Sequence, residues 1–526
     1  MGTENTHDSN RQIAKSSGII GLATLCSRLL GFIRDIVIAR LFGVYVYAQA
    51  FVIAFRIPNL FRDLVAEGAA NSAFVPVFSE YKVKHSKEDF WELANVVLNL
   101  LLVVLAGITV LGITFSPAIV RIIAPGFIAE PDKLEATIRL NRLIFPYILL
   151  VGLSAYSAAI LNSLRHFSVP AFSPCILNIS IIVFALIFGE NIKGLALGVL
   201  IGGLLQLAIQ IPVLYKKGFR LRFPKHFKHP AAFEIGHLML PRLGSSAIYQ
   251  LNTFIDSVYG SLSSIVGEGG VAGLYFGYRL IQFPIGIFSN SLAQVILPTF
   301  STQALEEGLL NLKKTLSWGL RTVFFIMIPA SAGFMVLSQQ IVFTLFQGGK
   351  FDAYATGLTA SALFYYSIGL FAYAGIKIIQ CCYFALKDTV TPAKVSILTL
   401  ALNIIFNTIF MFPLKLAGLA LATSLSGIIS FLVLGIMLRK KLGGFGLKEV
   451  VFSFTKILLA SIAMSMALFY CSRYSSFDGA MPLKLLKISG IVLIGAVFYL
   501  IFCFLFRVKE ARDFFRWVFE LKNRHG

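Results

Sequence analysis

Residues 27–43, SRLLGFIRDIVIARLFG, and 48–68, AQAFVIAFRIPNLFRDLVAEG, decide the fold. Both read as membrane-spanning helices, yet together they carry Arg28, Arg34, Asp35, Arg56, Arg62, Asp63 and Glu67. At about 100° per residue, Thr24, Ser27, Arg28, Gly31, Arg34 and Asp35 share an arc of roughly 120°. Leu25, Leu29, Leu30, Ile33, Ile36 and Val37 occupy the other side. The second stretch groups Gln49, Arg56, Asn59, Arg62 and Asp63 in the same way, with Pro58 inviting a bend among them. An arginine at mid-bilayer costs about 3 kcal/mol on insertion scales. Several of them cannot face lipid, so the charged faces line a water-filled cavity.

The rest of the chain supports a membrane setting. Of its 526 residues 57% are hydrophobic and 13% charged, and the mean hydropathy is +0.81, far from soluble globular composition. The net charge of +21 sits mostly in short loops between apolar runs, where the positive-inside rule puts it, and does not signify nucleic acid. Cys26, Cys175, Cys381, Cys382, Cys471 and Cys503 lie mostly within apolar runs without a CxxC pair, as small buried hydrophobes do. No cleavable signal peptide is legible, and the myristoylation match of MGTENT is treated as chance.

Fourteen apolar runs are long enough to cross a hydrocarbon core of about 30 Å: roughly 17–41, 46–67, 91–115, 138–163, 170–189, 194–215, 236–262, 271–299, 314–338, 356–385, 393–412, 416–438, 451–471 and 485–506. Cations concentrate in alternate loops and in both tails, which puts both termini in the cytoplasm. The halves repeat at an offset of about 223 residues. Phe74–Ser79 recurs as Ile296–Ser301, Pro125-Gly126-Phe127 as Gly348-Gly349-Lys350-Phe351, Gly194–Leu197 as Gly418–Leu421, and Asn178 stands against Asn403. Six spans per copy make the repeats parallel. The expected architecture is an all-α polytopic membrane protein with about fourteen spans, two parallel six-helix lobes around a central cavity, and two added C-terminal spans. Its limits are a tail 1–16, an N-lobe 17–215, a basic linker 216–235, a C-lobe 236–438, the added spans 439–506, and a tail 507–526 whose Phe514, Phe515, Trp517 and Val518 suggest an interfacial helix.

Arginine stays charged and forks onto oxygens, so a cavity with several arginines and few acids suits an anion rich in oxygen. Arg28, Arg34, Arg62 and Arg279, the last in GLYFGYRLIQFP, are the main candidates, with Arg56 and Glu67 secondary and Asp35 a partner for Arg28 or Arg34. Arg40, Arg321 and Lys377 read equally as snorkelling side chains, and Arg242 lies near a helix start. Asp256, Asn403, Asn407 and Thr423 offer oxygens for a hard monovalent cation, against the alternative of ordinary polar packing. Gly198 and Gly202 read as a helix-packing pair. GxSxG, HExxH, Walker A and a catalytic carboxylate pair are absent from the sequence, which reads as a transporter and not an enzyme.

SRLLGFIRD, FRIPNLFRDLVAEGA, FVPVFSEY, APGF, FPYILL, LNSLRHFSVPAFSPCILNIS, YRLIQFPIG and LFQGGKF together resemble the MurJ (MviN) lipid II flippases of the MOP exporter superfamily, in order and across nearly the whole chain. The resemblance implies transfer of the undecaprenyl-pyrophosphate-linked peptidoglycan precursor from the inner to the outer leaflet of the bacterial inner membrane. It also implies alternating access, substrate binding by Arg28, Arg34, Arg62 and Arg279 with Asp35 beside them, and a lipid-tail groove near the last two spans. Partners would be lipid II, membrane lipids and the cell-wall synthesis machinery. No cofactor is required; membrane potential, or a monovalent ion such as Na+ or Cl−, would drive turnover, with Asp256, Asn403, Asn407 and Thr423 similar to a family sodium site. The chain departs from family acids at Gln49, Tyr278 and Gln282, and from a carboxylate at Asn407. The rivals are a related exporter of another polyprenyl-linked glycan or of drugs, a membrane enzyme acting on lipid-linked sugar, and a scaffold.

Overall fold

A computed structural model describes residues 2–62, 73–222, 229–475, 477, 479–513 and 516, with 2–17 and 240–249 described by backbone alone. It divides by internal contacts into two compact units, Met1–Leu262 and Ser263–Gly526. Among the described residues it is helical, and its one β-bridge is the isolated pair Gly348 and Phe351.

The first unit contains α1 (Gly2–Phe42), α2 (Val46–Arg62), α3 (Val75–Lys84), α4 (Lys87–Thr114), α5 (Ser116–Ile123), α6 (Pro131–Ile144), α7 (Tyr147–Ser163), α8 (Ser168–Phe188), α9 (Ile192–Ala208), α10 (Ile211–Lys217) and α11 (Pro230–Gly260). The polar residues expected as a free tail, 1–16, continue α1 from Gly2 onward. Gly43, at φ +63°, ends that helix in the left-handed conformation that glycine adopts without strain. Ser86 and Asp89 form a capping box that starts α4. Phe74, Phe78, Phe90 and Tyr156 interlock edge to face between α3, α4 and α7. The basic linker is held down, because the Asn95 amide donates to the Arg220 carbonyl (3.1 Å) and accepts from the Arg222 N–H (2.8 Å). α11, which the repeat counts as the first span of the second copy, belongs to this unit. It packs on α3, α4, α5 and the 3-10 turn Pro125–Ala129.

The second unit contains α12 (Ser263–Val266), α13 (Gly270–Pro284), α14 (Asn290–Gln303), α15 (Leu310–Phe346), α16 (Ala353–Ile368), α17 (Leu370–Ala385), α18 (Val390–Leu414), α19 (Leu416–Leu442), α20 (Leu447–Tyr474) and α21 (Met481–Leu505). The two added spans, α20 and α21, pack on α15, where the Tyr499 hydroxyl donates to the Phe325 carbonyl at 2.7 Å. Beyond α21, Glu510 is buried. It pairs with Arg321 of α15 at 2.9 Å and accepts from the Ser453 hydroxyl of α20 at 2.9 Å. Phe514, Phe515, Trp517 and Val518, expected on an interfacial face, lie outside the described residues.

The repeat is visible in matched packing. Phe74 and Ile296, Phe78 and Phe300, and Phe127 and Phe351 are buried pairwise at equivalent positions. Gly194 and Gly418 each stand where a Cβ would strike the preceding helix, at 2.5 Å from Phe188 and 2.1 Å from the Phe410 carbonyl oxygen. The hairpins α8–α9 and α18–α19 close against these glycines. Gly198 and Gly202 meet Ile181 and Leu177 of α8, so that pair packs helices.

Over the described residues, each of the fourteen apolar runs lies on a helix or a pair of joined helices. Among the described residues ten such segments are long and apolar enough to span a membrane, or eleven with α16 and α17, bent by 45°, taken as one. The remaining three runs lie on α1, α2 and α11. The first carries the arginine stripe and the second is described over only 17 residues. Apolar side chains such as Val103, Val110, Leu486 and Leu493 project outward along these segments, as lipid contact requires. The chain is a multi-pass all-α membrane protein.

Candidate functional site

The polar face of α1 holds a buried ionic knot. Arg34, 4% exposed, points Nε and Nη2 at one oxygen of Asp35, at 3.0 and 2.7 Å, and donates through Nη1 to Oδ1 of Asn178 on α8 at 3.0 Å. Asn178 returns its amide N–H to the Ser27 carbonyl at 3.2 Å, and Phe55 of α2 presents its ring 5.9 Å from the guanidinium. Asp35 is wholly buried. Of its two expected partners it takes Arg34. A charge taken from water needs such compensation, since removing one partner strands the other. The knot fixes α1 on α8 and leaves Arg34 largely neutralised.

Arg28 lies two turns earlier on the same face, half-buried, and among the described residues makes no hydrogen bond or ion pair. Arg62 ends α2, also half-buried. Arg56 reaches across to α11, where Nη1 donates to the Thr253 carbonyl at 2.5 Å. Glu67 and Asp63 lie outside the described residues. In the second unit Arg279 is half-buried on α13, one turn before Pro284 and the π-turn Ile285–Ser289, and its neighbour Tyr278 packs edge to face on Tyr366 at 5.4 Å. Arg28, Arg34, Asp35, Arg56 and Arg62 thus share the first unit, and Arg279 is in the second. Each of these guanidinium groups has the planar fork that suits anionic oxygens.

The cation candidates divide in the same way. Asn407 donates to Oδ1 of Asn403 at 2.5 Å, and Asn403 donates to the Thr423 hydroxyl at 3.2 Å, within the second unit; Asp256 is on α11 in the first. The three second-unit residues are neutral and already bonded to one another. Among the described residues the Asn407 Oδ1 has no hydrogen-bond partner, while the Asn403 Oδ1 accepts from Asn407. No cluster of three or more His, Cys, Asp or Glu suited to a metal occurs among the described residues.

Two placements escaped the sequence. Asn178 was legible only as a repeat landmark, whereas it holds Arg34. Lys133, on the first turn of α6, has a side chain 1% exposed, paired with Glu130 at 2.6 Å and 5.2 Å from the Phe127 ring. The one available signal was the i, i+3 spacing of Glu130 and Lys133. Arg321, ambiguous in the sequence, is the partner of Glu510. Arg40 and Lys377 are half-buried, and the side chain of Arg242 lies outside the described residues. Gln49, where the family resemblance leads one to expect an acid, is fully buried, and among the described residues neither amide atom is hydrogen-bonded.

A family model described as "Lipid II flippase MurJ" matches residues 38–510. A protein of Buchnera aphidicola subsp. Acyrthosiphon pisum, named "Probable lipid II flippase MurJ", is 36% identical over 455 residues, 86% of this chain and 88% of that one. Among solved structures, "Lipid II flippase MurJ, inward closed conformation" superposes with a TM-score of 0.78 at 29% identity, covering 93% of this chain and 98% of that one. An inward-facing multidrug resistance MATE family transporter of the MOP superfamily superposes with a TM-score of 0.67 at 16% identity over 79% and 94%, which shows a shared fold. With the match running through both repeat copies and into the added spans, the chain belongs to the lipid II flippase MurJ family.

Proposed function

We propose that this chain moves lipid II, the undecaprenyl-pyrophosphate-linked peptidoglycan precursor, from the inner to the outer leaflet of a bacterial inner membrane. It acts as a transporter and performs no covalent step. The observation that carries the reading is the family match over residues 38–510, which takes in Arg56, Arg62 and Arg279. Both termini are cytoplasmic, by the loop distribution of cations. Arg28, Arg62 and Arg279 hold the pyrophosphate, and Arg34, with Asp35 and Asn178, keeps α1 rigid behind them. Arg56 and Glu67 contribute at the margin. The lipid tail rides along α20 and α21, and the lobes alternate access to the head group.

The drive is electrical. An inside-negative potential favours outward movement of an anion by about 2.3 kcal/mol per charge per 100 mV, and favours return of the empty cationic cavity. No cofactor is required, and a coupled monovalent ion, Na+ or Cl−, is the second reading of the drive, with Asp256, Asn403, Asn407 and Thr423 as oxygen donors for sodium. Membrane lipids surround the spans, and cell-wall synthesis proteins receive the product.

The test is complementation of a bacterium depleted of its own flippase, with precursor exposure at the outer leaflet as readout. Wild type restores exposure and growth, while Arg28→Ala and Arg279→Ala do not. Retained delivery in both variants would discard the arginine clamp, and failure of wild type in several hosts would point to another glycan.

A further inference from the structure

α11 is the span whose sequence and packing disagree. By the repeat it opens the second copy, yet it lies on the first unit, tied at three levels. At its start, His229 accepts from the Ala231 N–H at 3.2 Å and its Nε2 lies 3.4 Å from the Tyr81 hydroxyl. Near its C-terminal third, Arg56 donates to the Thr253 carbonyl. At its end, the Gly126 N–H donates to the Ser261 hydroxyl oxygen at 3.0 Å.

The last contact is the closest in kind. A Cβ on Gly126 would lie 2.0 Å from the Ser261 carbonyl oxygen and 2.7 Å from the Leu262 nitrogen. These are backbone atoms that no rotamer moves aside, so residue 126 must be glycine for the two segments to touch. Ser261 is itself fully buried, and its hydroxyl donates to the Val258 carbonyl at 2.7 Å while accepting from Gly126. The Gly126 side is a braced turn, with Phe127 fully buried and Lys133 held against its ring by Glu130. A rigid seat on one side thus meets a helix end that turns at once into the second unit.

We propose that the Gly126–Ser261 contact is an outer gate of the transport cycle, shut in this structure and broken when the substrate head group leaves. This rests on the orientation and alternating access proposed above. Gly126 is a positioning residue: it touches no substrate and sets whether the outer end of α11 can seat. One hydrogen bond between neutral groups, worth about 1 kcal/mol net, is weak enough to break in each cycle, while the steric match makes the closed position specific.

The experiment uses the full chain with its six native cysteines replaced, shown first to complement. Ser261→Cys is exposed to a membrane-impermeant maleimide added outside intact cells, with and without ongoing synthesis of the lipid-linked precursor. Glu135→Cys, on the exposed first turns of α6, serves as a topology marker. The gate predicts labelling of Ser261→Cys several-fold faster during precursor synthesis than when synthesis is blocked. Adding Gly126→Ala, at wild-type abundance, raises labelling in the blocked state. Silence at Ser261→Cys with Glu135→Cys labelled overturns the gate alone. Silence at both overturns the orientation, and the gate with it. Equal labelling in the two conditions, or no effect of Gly126→Ala, also overturns the proposal.

Discussion

Asp35 is buried with Arg34 against it, so deleting it takes a counter-charge from Arg34 in a site 4% exposed. Such losses run to about 3–5 kcal/mol, and Asp35→Ala should melt well below wild type in detergent. Arg34→Leu combined with Asp35→Leu removes both charges and should recover much of that loss, whereas Arg28→Ala should leave the melting temperature within a degree or two and abolish transport. A double mutant no more stable than Asp35→Ala would show that the pair is not the structural knot described. Gln49 gives the opposite case. Its buried amide has no hydrogen-bond partner among the described residues, so Gln49→Met should raise stability by about 1–3 kcal/mol, read from the same melting curves. The sequence disclosed that these polar residues share a face, because that follows from helical period alone. It did not disclose that Arg34 is consumed by Asp35, since an intrahelical neighbour at i+1 ordinarily points elsewhere and the third member, Asn178, comes from a helix 144 residues away.

Helix pairing was legible where glycine marks it. The Gly194 and Gly418 landmarks proved to be the close approaches of α8–α9 and α18–α19. Gly418→Ala would drive a methyl to 2.1 Å from a backbone oxygen, an overpacking that costs about 1–3 kcal/mol. Gly435→Ala, further along α19 with its nearest neighbour at 3.9 Å, should be neutral or gain up to about 1 kcal/mol of helix propensity. A thermal melt of each variant decides whether the first is lowered and the second is not. The turn between α17 and α18 carries a second device. Asp388 accepts from the Thr391 N–H and hydroxyl at 2.9 and 2.8 Å and from Lys441 at 2.6 Å. The Lys441 ammonium holds its carboxyl down to about 2. A folded value below the unfolded one, about 3.9, means stability fully present above about pH 4 and lost as pH falls through about 2. Asp388→Asn should therefore melt below wild type at pH 7 by an amount that shrinks from pH 4 downward, and a constant gap would remove the ion pair from the account. What the sequence left hidden at this scale was the seating of α11, because a repeat in sequence assigns a helix to a copy and not to the surface on which it packs.

Across the molecule the decisive quantity is charge moved per cycle. The chain carries a net charge of +21, but most of it lies in loops that stay on one side. What crosses the field is the substrate and whatever cavity charge moves with it. If Arg28, Arg62 and Arg279 neutralise the pyrophosphate, the loaded step moves little charge and the potential acts on the return, when an empty cationic cavity swings toward the negative inside. If neutralisation is partial, both steps are assisted. In either case the cycle delivers the substrate's own net charge outward, and each such charge is worth about 2.3 kcal/mol per 100 mV, roughly fifty-fold in an equilibrium ratio. Collapsing the potential with a potassium ionophore at matched potassium, with the pH gradient left in place, should therefore cut outer-leaflet exposure of precursor steeply. Replacing sodium by choline at constant potential should change it little, because the field acting on the substrate's charge supplies the drive. The reverse pattern, sodium dependence with indifference to potential, would move the energy source from the field to the second unit's polar cluster and leave the arginines as a binding site without a driving role.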